Sequence, residues 1–95
     1  MPGVARKMDM DSGHGCFPPR MNIGSSSDVM VDNKGVHRKT DKWLTHCCPK
    51  QGCHDAITST SSENVFANNL GIARINDKVS CGSTIKQGSS TVFIG

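Results

Sequence analysis

One seven-residue phrase occurs three times in this chain. It reads Gly-Val-Ala-Arg-Lys-Met-Asp at Gly3–Asp9, Gly-Val-His-Arg-Lys-Thr-Asp at Gly35–Asp41 and Gly-Ile-Ala-Arg-Ile-Asn-Asp at Gly71–Asp77. A second phrase, Ser-x-x-Val followed by a large apolar residue, covers Ser26–Val31, Ser62–Ala67 and Ser89–Ile94. In the middle of the chain the two join into a unit that reads as strand, Asn-containing turn, second short strand and Asp. The third unit is split, with its first half at the end of the chain and its second half near the start. Read as a circle, the sequence holds three equal units. Internal repetition of this kind constrains a fold more than any local propensity. It predicts a pseudo-threefold arrangement with neighbouring termini. No segment keeps a helical period, so the expected class is all-β with long loops.

Each unit places an apolar pair at the end of its first strand: Val29 and Met30, Val65 and Phe66, Val92 and Phe93. Neighbours on a strand face opposite ways. One triplet is therefore expected to fill the interior, and the other to face outward or toward a partner.

A chain of 95 residues that is 35% hydrophobic, with three Phe, one Trp and no Tyr, has little to build a core from. Small domains of this kind add disulfides, a metal or a partner. The formal charge of +3 is spread among acidic residues, unlike the clustered basic face of a nucleic-acid binder. The start carries no apolar stretch that would serve as a signal peptide, and no run suits a membrane helix. Five Cys is an odd number, which leaves one over in any closed disulfide framework. With synthesis in a reducing cytoplasm expected, Cys beside His points to metal before disulfide. The bland reading of Cys16, Cys47, Cys48 and Cys53 is small buried apolar filler, and the sequence assigns them no role.

The residues just after each repeated Asp carry the chemistry. His14 lies five residues after Asp9, His46 five after Asp41, and Cys81 four after Asp77. A threefold axis would bring these positions to one point. Imidazole and thiolate together suit Zn²⁺, which takes four N/S ligands in structural sites. A fourth ligand is expected from the long loop Cys47–His54, where Cys47, Cys48, Cys53 and His54 are all candidates. His37 fills the slot of Ala5 and Ala73, so it belongs to the repeat rather than to the ligand series. Cys16 and His14 share a short loop that seldom orients a nucleophile and base. No P-loop, G-x-S-x-G or H-E-x-x-H pattern is present.

With these residues in place, the chain resembles the PAAR-repeat proteins. "GVAR", "GVHR" and "GIAR" echo the Pro-Ala-Ala-Arg phrase of that family, and "SGHGCFPP", the loop Cys47–His54 and the ending "CGSTIKQGSSTVFIG" look like it closely. The resemblance runs over 1–95 and implies a single domain, a small cone of short β-hairpins with a metal near its apex. Carried over by position, it implies ligation by His14, His46, His54 and Cys81. It further implies a non-enzymatic tip protein without a small-molecule substrate or nucleic acid. Such a protein sits one copy per trimer on a trimeric β-helical spike, in a phage tail baseplate or a type VI secretion machine. It makes transient contact with the target outer membrane. The alternative is a small zinc module that binds nucleic acid or exchanges thiols, which would need a basic, aromatic-bearing face or an exposed low-pKa Cys.

Overall fold

The computed structural model describes residues 1–95. It contains no helix; its regular structure is six short strands and a set of isolated bridges. The strands are β1 (Met30–Val31), β2 (Lys34–Gly35), β3 (His46–Cys48), β4 (Gly52–His54), β5 (Phe66–Ala67) and β6 (Leu70–Gly71). They pair as three antiparallel hairpins, β1 with β2, β3 with β4 and β5 with β6.

Two of these hairpins belong to the repeats. In β1–β2 the turn residues Asp32 and Asn33 have φ of 54° and 65°, and in β5–β6 Asn68 and Asn69 have φ of 54° and 66°. Positive φ at both central positions is the turn whose twist suits a two-residue hairpin, and short polar side chains tolerate it best. The third copy is assembled from the two ends of the chain. Gly3 pairs with Phe93 as Gly35 pairs with Met30 and Gly71 with Phe66. The Ile94 amide donates to the Pro2 carbonyl at 3.1 Å, so the termini lie together as the split repeat requires.

The three copies close on one another. Arg6 bridges Val36, Arg38 bridges Ile72 and Arg74 bridges Val4. At the centre Ala5 donates its amide to the carbonyl of Ala73, Ala73 to that of His37, and His37 to that of Ala5, each at 2.9 Å. A second cyclic set of bridges lies further along the chain, pairing Asp11 with Ile85, Trp43 with Asn22 and Val79 with Thr58. The molecule measures 39 × 23 × 22 Å along its principal axes, with two near-equal short dimensions as a stack of threefold rungs should have.

Each residue of the repeated phrases has a threefold task. The Asp carboxylate accepts from the Arg amide three residues earlier at 2.8, 2.9 and 2.7 Å in the three copies, and it also pairs with that Arg side chain. This closes a turn whose third residue has positive φ: Met8, Thr40 and Asn76. The hydroxyls of Ser26, Ser62 and Ser89 each accept from the amides two and three residues on. The repeated Gly is a matter of space. A Cβ on Gly3, Gly35 or Gly71 would collide with the main-chain carbonyl of Ser89, Ser26 or Ser62 respectively.

The interior is two small apolar layers. Val4, Val36, Ile72 and Ala67 form the one beneath the hairpins, joined by Val31, Val65 and Ile94. Ala5, Trp43, Ala56, Ala73, Val79 and Ile85 form the next, against which Cys81 packs. The strand expectation is therefore corrected in part. Met30, Phe66 and Phe93 do face outward, at 55, 57 and 49% exposure. Val29 and Val92 are also substantially exposed, and the inward positions are taken by the residues after the aromatic or Met: Val31, Ala67 and Ile94. Alternation holds only from Met30, Phe66 and Phe93 onward, with its phase set by their pairing opposite the glycines.

His37 is a core residue. Its Nδ1 lies 2.7 Å from the Gly24 carbonyl, which can only accept, so Nδ1 carries the proton. Nε2 then accepts from the Thr58 hydroxyl at 2.6 Å, and that oxygen accepts from Trp43 Nε1 at 2.9 Å. Burial pushes the His37 pKa below its ordinary value.

The Gly35→Ala variant should lose about 1–3 kcal/mol of stability through forced backbone displacement. Urea unfolding against the unsubstituted chain measures it, and an unchanged midpoint would contradict the close approach to Ser26.

Candidate metal centre

Beyond the second cyclic set of bridges the chain forms two loops and a hairpin that carry four donor residues. His46 and His54 are directly paired across β3 and β4, so their side chains leave the hairpin on one face. His14 sits on a tight turn in which its amide and the Phe17 carbonyl, and the Phe17 amide and the His14 carbonyl, bond at 3.0 and 2.9 Å. Gly13 and Gly15 flank His14 at φ of 66° and 55°, backbone that a side chain would strain. Cys81 comes after the third Asp, on the loop closed by Gly82.

These four residues converge. One ligand-capable atom from each of His14, His46, His54 and Cys81 lies within 4.8 Å of the other three. The Nε2 atoms of His14 and His54 are 3.1 Å apart, and those of His46 and His54 are 2.7 Å apart. Donors placed 2.0–2.1 Å from a tetrahedral zinc would be about 3.3 Å from each other, so the nitrogens are already near the required spacing. His46 Nδ1 donates to the Pro18 carbonyl at 2.9 Å, which leaves Nε2 with its lone pair facing the other rings. Phe17 is buried and packs against all three imidazoles, with ring centroids 4.9, 4.9 and 4.3 Å from His14, His46 and His54. Desolvation, then the neighbouring His46, His14 and Arg20, lowers the His54 pKa. That favours the neutral ring, the form that binds a metal. Three imidazoles and one thiol, with no fifth protein donor among them, can hold a metal ion as a closed site.

Cysteine usage differs from the expectation. Cys16 is bonded to Cys48 and Cys47 to Cys53, leaving Cys81 as the free thiol. These four residues are cross-links, and only Cys48 is also buried filler. The reason is register. Cys47 and Cys53 are directly opposite on β3 and β4, one position from the paired histidines, with Cα atoms 4.0 Å apart. Cys48 reaches the His14 turn, where its Cα is 5.5 Å from that of Cys16. Each disulfide thus ties together segments that carry donors. The arrangement was latent in "HCCPKQGCH", which reads His-Cys inward from one end and from the other around a turn.

Four residues near the donors went unread in the sequence. Phe17 floors the three rings. Arg20 and Asp11 form a buried ion pair, with Arg20 Nε 3.2 Å from Asp11 Oδ2. Ser83 donates to the same carboxylate oxygen at 2.7 Å. A lone Arg after Pro-Pro gives no hint that it is interior.

The profile of the PAAR motif family matches residues 21–87, well over half of the chain. The chain belongs to that family. The matched span contains His46, His54 and Cys81. His14 and the first repeat lie before it, and the ring of hydrogen bonds through Ala5 joins that repeat to the other two. PAAR motifs occur in the spike tips of contractile injection systems, in phage tails and type VI assemblies. They are structural proteins that bind spike proteins rather than an enzyme family. No curated protein matches the chain.

Replacing Cys16 and Cys48 by Ser opens a loop of 32 residues, and replacing Cys47 and Cys53 opens one of six. Chain entropy sets these losses at about 4 and about 2 kcal/mol. Denaturant unfolding of the two double variants should keep that order, and a reversed order would show that the short link carries the apex.

Proposed function

We propose that residues 1–95 form one PAAR-repeat domain that caps a trimeric β-helical spike, one copy per trimer, and that His14, His46, His54 and Cys81 hold Zn²⁺ at its tip. The observation that carries this reading is the outward triplet Met30, Phe66 and Phe93. One chain presents three equivalent apolar side chains around a threefold axis, which is what three identical subunits can grip at once. The triplet sits on the repeat hairpins, and successive rungs separate those hairpins from the donor cluster. Docking at the hairpin end would leave the cluster facing away from the spike. The open edges of the hairpins could add main-chain hydrogen bonds to the last turn of a β-helix, covering edges that otherwise invite aggregation.

In this reading the metal is a staple. Zinc bound by three imidazoles and a thiolate closes loops whose one large buried apolar side chain is Phe17. Structural zinc can supply about 10–16 kcal/mol of apparent binding free energy, comparable with or above the net stability of a small domain. The driving work belongs to the contracting machine, so the tip needs rigidity and no active site. The place of action is the end of the central spike, in a phage baseplate or a type VI apparatus, with brief contact with the target outer membrane. Within those settings the cone looks most like the spike-tip protein of a T-even-type phage.

Mass measurement of the chain mixed with its spike should give one copy per three spike subunits. A Phe66→Asp, Phe93→Asp variant should fold yet lose the complex. Three copies per trimer, or a contact centred on His14 and Cys81, would overturn the polarity. Chelation should lower the melting temperature, and acidification should release the metal, because each imidazole binds only when neutral. A Cys81→Ala variant that melts with the unsubstituted protein would remove Cys81 from the ligand set.

A further inference from the structure

Arg20 is almost wholly enclosed, its side chain 3% exposed, and no part of the repeat pattern calls for it. Its guanidinium reaches every segment that surrounds the donor cluster. Nε meets Asp11 Oδ2 at 3.2 Å, on the segment that leads to the His14 turn. Nη1 donates to the Leu44 carbonyl at 3.1 Å, two residues before His46, and to the His54 carbonyl at 3.4 Å. Nη2 donates to Cys81 Sγ at 2.8 Å. Its plane also lies against the core, with the guanidinium carbon 5.9 Å from the Trp43 ring centre. Asp11 is held in turn. One carboxylate oxygen accepts from the amides of Gly13 and Arg20, and the other from the Arg20 side chain and the Ser83 hydroxyl.

We propose that Arg20 is the positioning residue of the metal centre, an N–H···S donor that fixes the Cys81 sulfur and gathers the three donor-bearing segments around it. This rests on the reading that the four residues hold a metal. The physical case is one of alternatives. A buried ion pair is seldom the most stabilising way to fill a core, because desolvation offsets most of the attraction. Leu or Met would pack this space as well. Neither would orient a thiolate. A planar fork with several donors can meet two carbonyls, a carboxylate and a sulfur at once, which an ammonium cannot do. Partners of this kind around a metal ligand typically alter metal affinity 10–100-fold. A hydrogen bond to the sulfur also lowers its lone-pair energy, so it weakens the sulfur as an electron donor and as a nucleophile.

Cobalt(II) in place of the resident metal reads the sulfur directly. In an Arg20→Met variant the sulfur-to-cobalt charge-transfer band should move to lower energy, and alkylation of the metal-bound Cys81 should quicken. Cobalt affinity should fall by about 10–100-fold. A Gly35→Ala variant, destabilised in a different layer, should leave band and alkylation rate unchanged. An Arg20→Met band at the unsubstituted position would overturn the proposal. Failure of the unsubstituted protein to bind cobalt would instead overturn the metal reading itself. Because Arg20→Met strands the buried Asp11 and can prevent folding, a second measurement uses the unsubstituted chain. Loaded with ¹¹³Cd, it should show a scalar coupling between the metal and an Arg20 Nη proton through the sulfur. A fully loaded sample with resolved Arg20 guanidinium protons and no such coupling would contradict the N–H···S contact.

Discussion

Three main-chain hydrogen bonds, from Ala5 to Ala73, from Ala73 to His37 and from His37 to Ala5, set the geometry on which the remainder is built. Each of the three peptides donates once and accepts once, so the ring closes with none of these groups left over. Crowding at such an axis leaves room for small side chains, and Ala5 and Ala73 obey that limit. His37 is the exception. It is accommodated because Gly24, Thr58 and Trp43 provide a complete set of partners for one neutral tautomer. A buried polar ring without them would cost free energy comparable to a lost hydrogen bond or more.

From that ring the two ends of the molecule diverge in chemistry. Toward the hairpins, turn geometry and glycine contacts preserve the symmetry and expose Met30, Phe66 and Phe93. Toward the other end the symmetry is spent. The residues equivalent in the second set of bridges are Asp11, Trp43 and Val79, one charged, one aromatic and one aliphatic. Trp43 and Val79 feed the apolar layer, and Asp11 takes the Arg20 guanidinium that reaches toward the donors. Few apolar groups remain beyond this level. Two disulfides knit the donor-bearing segments there, and the four donors meet at a point that a metal can occupy. Apart from Phe17 beneath the imidazoles, this end gains little from hydrophobic area.

The threefold plan, the hairpins and the closeness of the termini were legible in the sequence, because each repeated residue answers to a local rule that operates three times. Gly is needed where a carbonyl leaves no room for Cβ, Asp where an Arg amide needs an acceptor, and Ser where the next two amides but one do. His14, His46 and Cys81 were legible through near-equal spacing from Asp9, Asp41 and Asp77. His54 was not, since it belongs to the one hairpin outside the repeats, and family resemblance had to single it out. Arg20 and Asp11 were invisible for a different reason. Their pairing joins residues that the repeat does not relate, and a charged side chain in a Pro-rich loop ordinarily reads as solvated. The disulfides were misjudged because compartment was given more weight than register. Cys47 and Cys53 face one another as soon as β3 and β4 pair.

If a closed set of three imidazoles and a single thiolate finishes one end of the threefold cone, a zinc ion there has one sulfur in its shell. X-ray absorption at the zinc edge of the purified, metal-loaded protein measures the donor set without reference to any spike. Three nitrogen scatterers at about 2.0–2.1 Å and one sulfur at about 2.3 Å are expected. Two or more sulfurs around the zinc would contradict this donor set, because Cys16, Cys47, Cys48 or Cys53 would then have left its disulfide to join the metal.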